Sequence, residues 1–396
     1  MINFYQNNPS KLITLSNTNK GINIMIKSFK YRIYPTKKQI QIFNHNLVLC
    51  NQLYNYLLEE RINTYKETGK GVSKYNQQKH LTVFKKLFPE FQEVYSTVLL
   101  DVTERVDYAF QGFFRRVRTG GEKPGYPRFK SEDRYHSFTY WDFDGWKIED
   151  KKIKLSKIGS IKCKLHRPFR GVGKCLIVKK TSSNKWFVYI PSEVPLPTPL
   201  PKTNKQIGID VGCESFLTTS EGTKIENPRF LKHSKEVLKK RHLKLQWKKK
   251  VSNRREKARI LHAKAEEHVS NQRRDFHFKV TKKLIKQFDV ICIEDLTHWI
   301  AKWKGLRKSI SDVAWFQFFN ILCFKAEEAG REVVRIDPKD TSQRCRGCGK
   351  IVPKELGDRI HNCPHCGLVL DRDHNAALNI LQAGLACRNV NALPRS

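Results

Sequence analysis

Apolar residues recur at helical spacing in the first third of the chain. One run extends from Ile40 to Leu58, and a second run extends from Val98 to Phe113. Spacings of three and four residues place these side chains on one face of a helix. The segment from residue 37 to about residue 118 is therefore predicted to be a helical bundle with charged outer faces.

Short stretches of alternating apolar and polar residues lie on either side of this helical segment. "IKSFKYRIYPT" follows Met25, and "HSFTYWDF", "KIKL", "SIKCKL", "CLIVKK" and "WFVYI" follow the helical runs. Alternation is typical of strands with one buried face, so these stretches predict a small antiparallel sheet or barrel. "PSEVPLPTPLPKTNK", at residues 191–205, contains five prolines and is predicted to be an interdomain linker.

Beyond residue 205, strand and helix patterns alternate. "KQIGID", "FLTTSEG", "DVICIED" and "EVVRID" are predicted strands, with a long helical segment before the third and a shorter helix before the fourth. This alternation is typical of an α/β domain. The shorter helix, from Val313 to Phe324, is apolar but too short to span a bilayer, so we predict a core helix.

The net charge indicates the class of partner. The 396 residues include 75 Lys+Arg and 38 Asp+Glu, which gives +37, while 39% are hydrophobic. The electrostatic field of a protein with this net charge attracts polyanions, and nucleic acid is the most common polyanion that a protein meets. The basic residues are spread along the chain rather than clustered beside one apolar anchor. We therefore do not expect a membrane partner.

Two basic segments are candidates for contacts with nucleic acid. In the loop "GGEKPGYPRFK" we single out Tyr126, Arg128 and Lys130, because cations with interleaved aromatic rings suit phosphates and unstacked bases. The segment between Lys232 and Arg259 contains thirteen Lys/Arg and two acids, which favours a phosphate-tracking helix pair over a solvated face. Its candidate residues are Lys239, Lys240, Arg241, Lys248, Lys249, Arg254 and Arg255.

Two CxxC pairs lie near the end of the sequence, with fourteen residues between them. They comprise Cys345, Cys348, Cys363 and Cys366. Four thiolates close a tetrahedral zinc site that has no open position for water, so a structural zinc ribbon is predicted. His361 and His365 lie close enough to be substitute ligands, although the cysteines already complete the site. The other seven cysteines are scattered, which favours reduced thiols in an intracellular protein.

Three acids lie where predicted elements begin or end. Asp210 ends "IGID", Glu294 ends the apolar strand of "DVICIED", and Asp373 lies at the start of a predicted helix in "DRDHNAALNI". Strand alternation places Glu294 and Asp295 on opposite faces, where Asp295 can cap a helix that starts near Leu296. Carboxylates gathered from distant strands repel one another unless cations neutralise them, so a Mg²⁺ or Mn²⁺ site is predicted. Each acid alone is better explained as a cap or a surface charge.

Together, these motifs resemble the TnpB family of RNA-guided DNA endonucleases, which insertion sequences encode and which is ancestral to type V CRISPR effectors. "IGIDVGCESFLTT", "ICIEDL" and "DRDHNAALNI" are similar to the three motifs of a RuvC-like nuclease. "KSFKYRIYPTKKQ", "GYPRFK", "RDFHFK" and "TSQRC" followed by "GCG" resemble further motifs of the family. They occur in the family's order across residues 25–384. His277 lies one position earlier than the family's pattern has it, so it is given no catalytic role.

The resemblance implies an α/β multidomain fold with defined site residues. An RNase H-like (RuvC) nuclease domain with an inserted zinc ribbon would follow a small β-barrel (wedge) domain that carries an inserted helical recognition lobe. Asp210, Glu294 and Asp373 would be the catalytic ligands of Mg²⁺ or Mn²⁺ in a two-metal hydrolysis. Asp371 lies outside the Asp-x-Asn element that Asp373 and Asn375 form. A guide RNA and double-stranded target DNA with a short adjacent motif would be the partners, in the cytoplasm of a prokaryote, at the nucleoid.

The predicted domain limits follow from these motifs. They are a polar extension at 1–24, the wedge domain at 25–40 and 119–190, the helical lobe at 41–118, the linker at 191–205, the nuclease domain at 206–340 and 368–386, the zinc ribbon at 341–367 and a tail at 387–396. The sequence leaves open whether the native start is Met1 or Met25, and whether the protein is a monomer or a dimer.

Two other functions fit parts of the pattern. A transposase could act directly on element ends, although transposases of the DDE type place Asp, Asp and Glu in that order. A zinc-ribbon DNA-binding regulator without catalysis would require the acids to be incidental. Metal-dependent cleavage by the purified protein would separate an enzyme from a regulator.

Overall fold

The computed structural model describes residues 24–120, 124–296, 312–355 and 357–392. The chain divides into two compact units, with the boundary between Pro195 and Leu196. The polar extension, apart from Ile24, lies outside the described residues, and so does the helix that Asp295 was predicted to cap. Within these described ranges, no helix has the length and apolar character needed to cross a membrane.

The first unit contains an antiparallel sheet with a helical segment inserted after its first strand. The strands are β1 (Ile24–Tyr34), β2 (Ser137–Tyr140), β3 (Trp146–Glu149), β4 (Lys152–Leu155), β5 (Gly159–Lys164), β6 (Val172–Gly173), β7 (Leu176–Lys180) and β8 (Trp186–Pro195). Their order is β2-β7-β8-β1-β5-β4-β3, and β6 pairs with β8. β1 therefore lies in the middle of the sheet, although it precedes the helices in sequence. The alternating stretches correctly predicted an antiparallel sheet here.

The predicted linker starts too early. Pro191–Pro195 belongs to β8, because it pairs with Ile24–Ser28 of β1. Prolines lack the N–H donor but still offer a carbonyl acceptor, so they are compatible with part of a strand. The rest of the predicted linker is attached to the second unit, where the guanidinium of Arg331 donates to the carbonyls of Leu200 and Pro201 at 3.4 and 2.7 Å.

The helices of the first unit are α1 (Lys37–Thr68), α2 (Lys74–Leu87) and α3 (Ser96–Arg118). Helix α1 begins before the predicted lobe limit at residue 41, because Thr36 and Gln39 form a reciprocal capping box. The helical runs from Ile40 and Val98 are confirmed in α1 and α3. Helix α2 was not predicted as a separate element, since only Gln77 and Leu81 are buried along it and its apolar pattern is weak.

The second unit contains a five-stranded mixed sheet. Its strands are β9 (Gln206–Val211), β10 (Ser215–Thr219), β11 (Lys224–Glu226), β12 (Val290–Glu294) and β13 (Glu332–Ile336). They are ordered β11-β10-β9-β12-β13, with β9, β12 and β13 parallel to one another and β10 and β11 antiparallel to their neighbours. The predicted alternation of strands and helices is confirmed in this unit.

Helices cover both faces of this sheet. Helix α4 (Phe230–Gln246) packs on α5 (Asn253–Gln287), while α5, α6 (Trp315–Glu328) and α7 (Arg372–Ala392) cover the sheet. A hairpin of β14 (Ile360–Asn362) and β15 (Val369–Asp371) precedes α7. Apolar residues of α5 and α6 pack on Ile209 and Ile293. On the other face, Cys292 packs against Ile380 of α7. Helix α7 continues to Ala392, so residues 387–392, predicted to be a tail, are helical.

Candidate active site

Asp210 and Glu294 lie side by side at the carboxyl ends of neighbouring parallel strands. Ile209 on β9 is paired with Ile293 on β12, so the next residue on each strand lies at the same level. Ile209 and Ile293 point into the core beneath α5 and α6. Because side chains alternate along a strand, the two acids point to the face covered by α7.

Helix α7 brings the third acid to the same place. Its backbone lies directly against Gly208 of β9, and farther along it passes close to Cys292 of β12 at Gly384. The small size of glycine permits both approaches. They fix α7 across the two acid-bearing strands, and the first turn of α7 carries Asp373.

The Glu294 carboxyl is buried, the Asp210 side chain is half-buried, and the two lie close together. Burial raises the pKa of Asp210 well above its usual range, and the neighbouring Glu294 and Asp373 raise it further, against a smaller opposing effect of Arg372. Burial also raises the pKa of Glu294 to about 7, although the hydrogen bond donated by Thr341 opposes the rise. A bound cation would favour the charged form of both groups.

The two aspartates at the start of α7 have different partners. Asp373 forms an ion pair with the guanidinium of Arg372 at 3.1 Å. Asp371 accepts hydrogen bonds from the backbone N–H groups of Asp373 and His374, both at 3.1 Å, and forms an ion pair with Lys224 at 2.7 Å. Although burial opposes them, these partners hold the pKa of Asp371 below its usual value. Asp371 is therefore the cap of α7.

The three acids line one cavity of about 530 Å³. The cysteine-rich segment contributes another part of its wall, through Ser342, Gln343, Lys354, Glu355 and Arg359. Carboxylate oxygens are the ligands that Mg²⁺ and Mn²⁺ prefer, so the donor set fits a hard divalent cation. Among the described residues, the four cysteines form the only group of three or more His, Cys, Asp or Glu side chains whose ligand atoms all lie within 4.8 Å of one another, so the three acids are not gathered that closely. Thr341 and Arg372 hold the carboxylates of Glu294 and Asp373 in hydrogen bonds.

A larger cavity of about 890 Å³, with five Lys/Arg side chains in its wall, adjoins the acid cavity. The two share Cys213, Glu214 and Arg359 as lining residues. The guanidinium of Arg359 and the carboxylate of Glu214 form an ion pair of 2.8 Å at this boundary. Cations in the wall of the larger cavity include Arg229, Lys232, Lys235 and Lys239. A cationic surface therefore leads up to the carboxylates.

The four cysteines predicted to bind zinc come together as a group. The sulfur atoms of Cys345 and Cys366 are 3.6 Å apart, and those of Cys348 and Cys363 are also 3.6 Å apart. Tetrahedral zinc with Zn–S bonds of about 2.3 Å requires sulfur separations of about 3.8 Å, so the site fits zinc. Gly349 and Gly367 each follow the second cysteine of a CxxC pair. Both have positive φ, which glycine adopts without strain and which lets the chain turn there. His361 and His365 are not in the group.

The basic segment forms the predicted helix pair, α4 and α5. Five of its seven candidate side chains are exposed, namely Lys239, Lys240, Lys248, Lys249 and Arg254. Arg241 and Arg255 instead connect the two helices. The guanidinium of Arg241 donates to the carbonyl of Leu261 at 2.8 Å, and that of Arg255 donates to the carbonyl of Leu245 at 2.9 Å.

The three candidate residues of the "GYPRFK" loop differ in their surroundings. Tyr126 packs on α3 while 45% exposed, and Arg128 is exposed. Asn55 binds both the backbone N–H and the carbonyl of Lys130 at 2.9 Å. The Lys130 ammonium lies 3.9 Å from the ring centroid of Tyr54, and burial lowers its pKa to about 8. Lys130 therefore packs against the unit, which leaves Tyr126 and Arg128 exposed.

His277 lies in the core of the second unit. Its ring stacks on Phe216 with centroids 5.4 Å apart, and its Nε2 lies 3.0 Å from the carbonyl oxygen of Val313. Burial lowers its pKa to about 4, so the imidazole is neutral at pH 7 and Nε2 donates to that carbonyl. Packing in the core therefore accounts for His277, and no catalytic role is needed to explain it.

Three family descriptions match parts of the chain. "Helix-turn-helix domain" matches residues 25–70, "Probable transposase" matches residues 189–299, and "Cas12f1-like, TNB domain" matches residues 315–380. The first of these stretches forms β1 and α1 in this structure, rather than two helices joined by a turn.

Several relatives match almost the whole chain. A putative RNA-guided DNA endonuclease of Streptomyces pristinaespiralis is 32% identical over 368 residues, which cover 91% of this chain and 90% of the relative. Putative RNA-guided DNA endonuclease InsQ of Escherichia coli strain K12 is 28% identical, with 91% and 94% covered. A TnpB-like protein of Acanthamoeba polyphaga mimivirus is 27% identical, with 93% and 75% covered.

A solved structure shares the fold. The cryo-EM structure of a Cas12f1–sgRNA–target DNA complex aligns with a TM-score of 0.55 and 14% identity, covering 90% of this chain and 98% of that chain. The α/β architecture is therefore Cas12-like. Because the Streptomyces relative is 32% identical across 91% of this chain, the chain belongs to the TnpB family of RNA-guided DNA endonucleases.

Proposed function

We propose that this protein is an RNA-guided DNA endonuclease that hydrolyses phosphodiester bonds in the cavity lined by Asp210, Glu294 and Asp373. The observation that carries the proposal is the convergence of these acids, from two neighbouring strands and the first turn of α7, on one cavity. Relatives named RNA-guided DNA endonucleases, which match nearly the whole chain, support the dependence on RNA.

We assign the second unit to the RNase H-like (RuvC) fold. Support comes from the strand order β11-β10-β9-β12-β13 and from the helix that covers the central strands and carries the third acid. The zinc ribbon would be inserted between β13 and α7. The first unit would be the wedge domain, with the recognition lobe inserted between β1 and β2.

Asp210, Glu294 and Asp373 would hold Mg²⁺ or Mn²⁺. Bound cations of this kind activate the attacking water and stabilise the leaving oxygen of a phosphodiester. The strands β9 and β12 fix the first two carboxylates, while Arg372 orients the third through its ion pair. Lys354 and Arg359, in the wall of the cavity, would attract the phosphates of a nucleic-acid strand.

The partners would be a guide RNA and double-stranded target DNA. The exposed lysines of α4 and the basic cavity beside the acids supply cationic surface for phosphates. Sequence recognition would be delegated to pairing between RNA and DNA, together with a short motif beside the target. The protein would act for an insertion sequence at the nucleoid of a prokaryotic cell, with one structural zinc ion per chain.

The test is Mg²⁺-dependent cleavage of a matching DNA by the purified complex with its RNA. Asp210→Ala, Glu294→Ala and Asp373→Ala should each lower the cleavage rate by orders of magnitude and leave RNA binding intact, because the acids and the RNA-holding surfaces are different groups. Asp371→Asn is the control, since asparagine can still cap α7. Cleavage by the triple variant would show that the acids are wrongly assigned.

A change of guide tests the dependence on RNA. Replacing the target-matching segment of the RNA should redirect cleavage to a new matching DNA. If the protein cuts the same DNA with every guide, or cuts without RNA, it is a transposase or nuclease that acts on DNA directly.

A further inference from the structure

Two asparagines of α7 hold the cysteine-rich segment beside the acid cavity. Asn375 is fully buried, accepts a hydrogen bond from the N–H of Arg346 at 3.0 Å and donates one to the carbonyl of Arg344 at 2.8 Å. One turn later, the Nδ2 of Asn379 donates to the carbonyls of Thr341 and Arg344 at 2.9 and 2.7 Å. Arg344 and Arg346 flank the first zinc-binding cysteine, Cys345, and Thr341 lies four residues before it. We call these two residues the asparagine clamp.

Thr341 connects this clamp to Glu294. The Thr341 hydroxyl donates a hydrogen bond to Oε1 of Glu294, and the carbonyl of Pro338 at 3.1 Å is the alternative acceptor. An ionised carboxylate is the stronger acceptor of the two. Thr341 and Glu294 are each only 8% exposed, so little water competes for this bond.

We propose that Thr341 is a positioning residue that aims the Glu294 carboxylate at the divalent cation, and that the asparagine clamp makes this aim depend on the folded zinc ribbon. The proposal rests on the proposed function in one respect, because it takes Glu294 to be a ligand of that cation. The four-cysteine site would then control the cation affinity of the acid cavity. Removing a hydrogen-bonded partner of a metal ligand typically lowers metal affinity by about 10- to 100-fold.

The test compares two substitutions of Thr341. Thr341→Val removes the hydroxyl at nearly constant volume, whereas Thr341→Ser keeps it. Zinc-loaded, full-length protein freed of nucleic acid is titrated with Mn²⁺, and free Mn²⁺ is followed by electron paramagnetic resonance. We expect Thr341→Val to bind Mn²⁺ about 10- to 100-fold more weakly, and Thr341→Ser to bind close to wild type. The concentration of Mg²⁺ that gives half-maximal cleavage should rise in parallel.

The clamp has its own variant and a matched control. Asn379→Ser shortens the side chain so that it no longer reaches the carbonyl of Thr341, while the threonine hydroxyl stays in place. We expect it to weaken Mn²⁺ binding and to keep its zinc. Gln382→Ala changes the next polar residue on the same face of α7, whose side chain pairs with that of Arg346 at 3.0 Å. It should bind Mn²⁺ as the wild type does.

The zinc content and the thermal unfolding midpoint of every variant separate positioning from misfolding. Wild-type Mn²⁺ affinity in Thr341→Val, or equal losses in the valine and serine variants, would overturn the role of the hydroxyl. Wild-type Mn²⁺ affinity in Asn379→Ser would overturn the role of the clamp. If Thr341→Val loses its zinc, the Mn²⁺ affinity of Asn379→Ser decides whether the proposal stands. Asp210→Ala is measured beside them. If it also binds Mn²⁺ normally, the proposed cation site fails rather than its positioning.

Discussion

Gly208 of β9 lies directly beneath the carbonyl oxygen of Ala377 in α7. A Cβ atom at position 208 would lie 2.2 Å from that oxygen, which is far inside the contact distance. The backbone of α7 therefore touches the strand that carries Asp210, and this contact determines how far Asp373 lies from Asp210. A glycine two residues before an acid is part of the geometry of the candidate active site.

Gly208→Ala should push α7 away from the sheet. We expect it to destabilise the second unit by about 1–3 kcal/mol, the usual range for overpacking, and to lower the rate of cleavage. Urea unfolding followed by tryptophan fluorescence measures the first effect. Gly71→Ala is the control, because a Cβ atom at Gly71 would have no neighbour within 4 Å. Equal stability of the two variants would show that α7 accommodates the methyl group.

One zinc ion per chain is expected at the four cysteines. Cys363→Ser should lose the zinc, because three thiolates and a neutral hydroxyl bind it less well. Elemental analysis of freshly purified protein measures the content directly. Cys387→Ser provides the control, since Cys387 is exposed and lies outside the group. Full zinc content in Cys363→Ser would contradict this site.

The places of the acids and the cysteines in the fold could be predicted from the sequence because local patterns determine them, while the role of the acids as cation ligands stays a prediction. Asp210 and Glu294 end apolar strands, and the CxxC spacing is itself the geometry of a zinc turn. Thr341 and Asn379 could not be located in this way. Their roles arise where the cysteine-rich segment packs on α7, and a polar residue that becomes buried by such packing has no signature in its own neighbourhood. The sequence marked Thr341 only as the first residue of a family motif.

The difference between local patterns and contacts from distant segments also explains where the predicted fold was wrong. The predicted strands "KQIGID", "FLTTSEG", "DVICIED" and "EVVRID" are observed as β9, β10, β12 and β13, whereas the short strands β11, β14 and β15 were not predicted. Pro191–Pro195 has the composition of a linker, but pairing with β1 makes it a strand. Gly208 and Gly384 were visible as glycines, whereas the helix backbone and the Cys292 side chain that they face come from distant parts of the chain.

His277 should make the stability of the second unit depend on pH. Burial lowers its pKa to about 4 in the folded protein, from an ordinary value of 6.5 for histidine. Its contribution is fully present above pH 6.5 and is lost as the pH falls towards 4, because the unfolded chain binds the proton first. The loss should be on the order of 3 kcal/mol. Urea unfolding at several pH values measures it. His277→Phe should flatten the profile, and His268→Gln, at an exposed position of the same helix, should leave it unchanged.

Arg128 and Lys130 should respond differently to substitution, although they are two residues apart. Lys130→Met should lower the thermal stability of the first unit, because its ammonium packs over the ring of Tyr54. Arg128→Gln should leave stability unchanged and weaken binding of nucleic acid, since its side chain is exposed. Thermal unfolding and filter binding measure the two effects. Weaker binding in a fully stable Lys130→Met variant would restore Lys130 as a nucleic-acid contact.

The exposed lysines of the α4–α5 pair should contribute to the salt dependence of RNA binding. Lys239→Glu, Lys240→Glu and Lys248→Glu, combined in one variant, should reduce the slope of log K against log salt by about 0.7 for each lost contact with a single strand. The variant retains Arg241 and Arg255, whose guanidinium groups bind backbone carbonyls across the helix pair, so the hairpin should stay folded. Binding isotherms at several salt concentrations give the slope.

The control for that variant changes the net charge equally at another place. Lys147→Glu, Lys152→Glu and Lys154→Glu alter three exposed lysines of β3 and β4 in the first unit. If the variant of the α4–α5 pair flattens the slope more than this control does, its three lysines contact phosphates. Equal slopes would mean that the RNA responds only to the total charge and that this face of the α4–α5 pair is simply solvated. Circular dichroism of both variants establishes that their helices are intact, so a difference in slope reports on contacts rather than on folding.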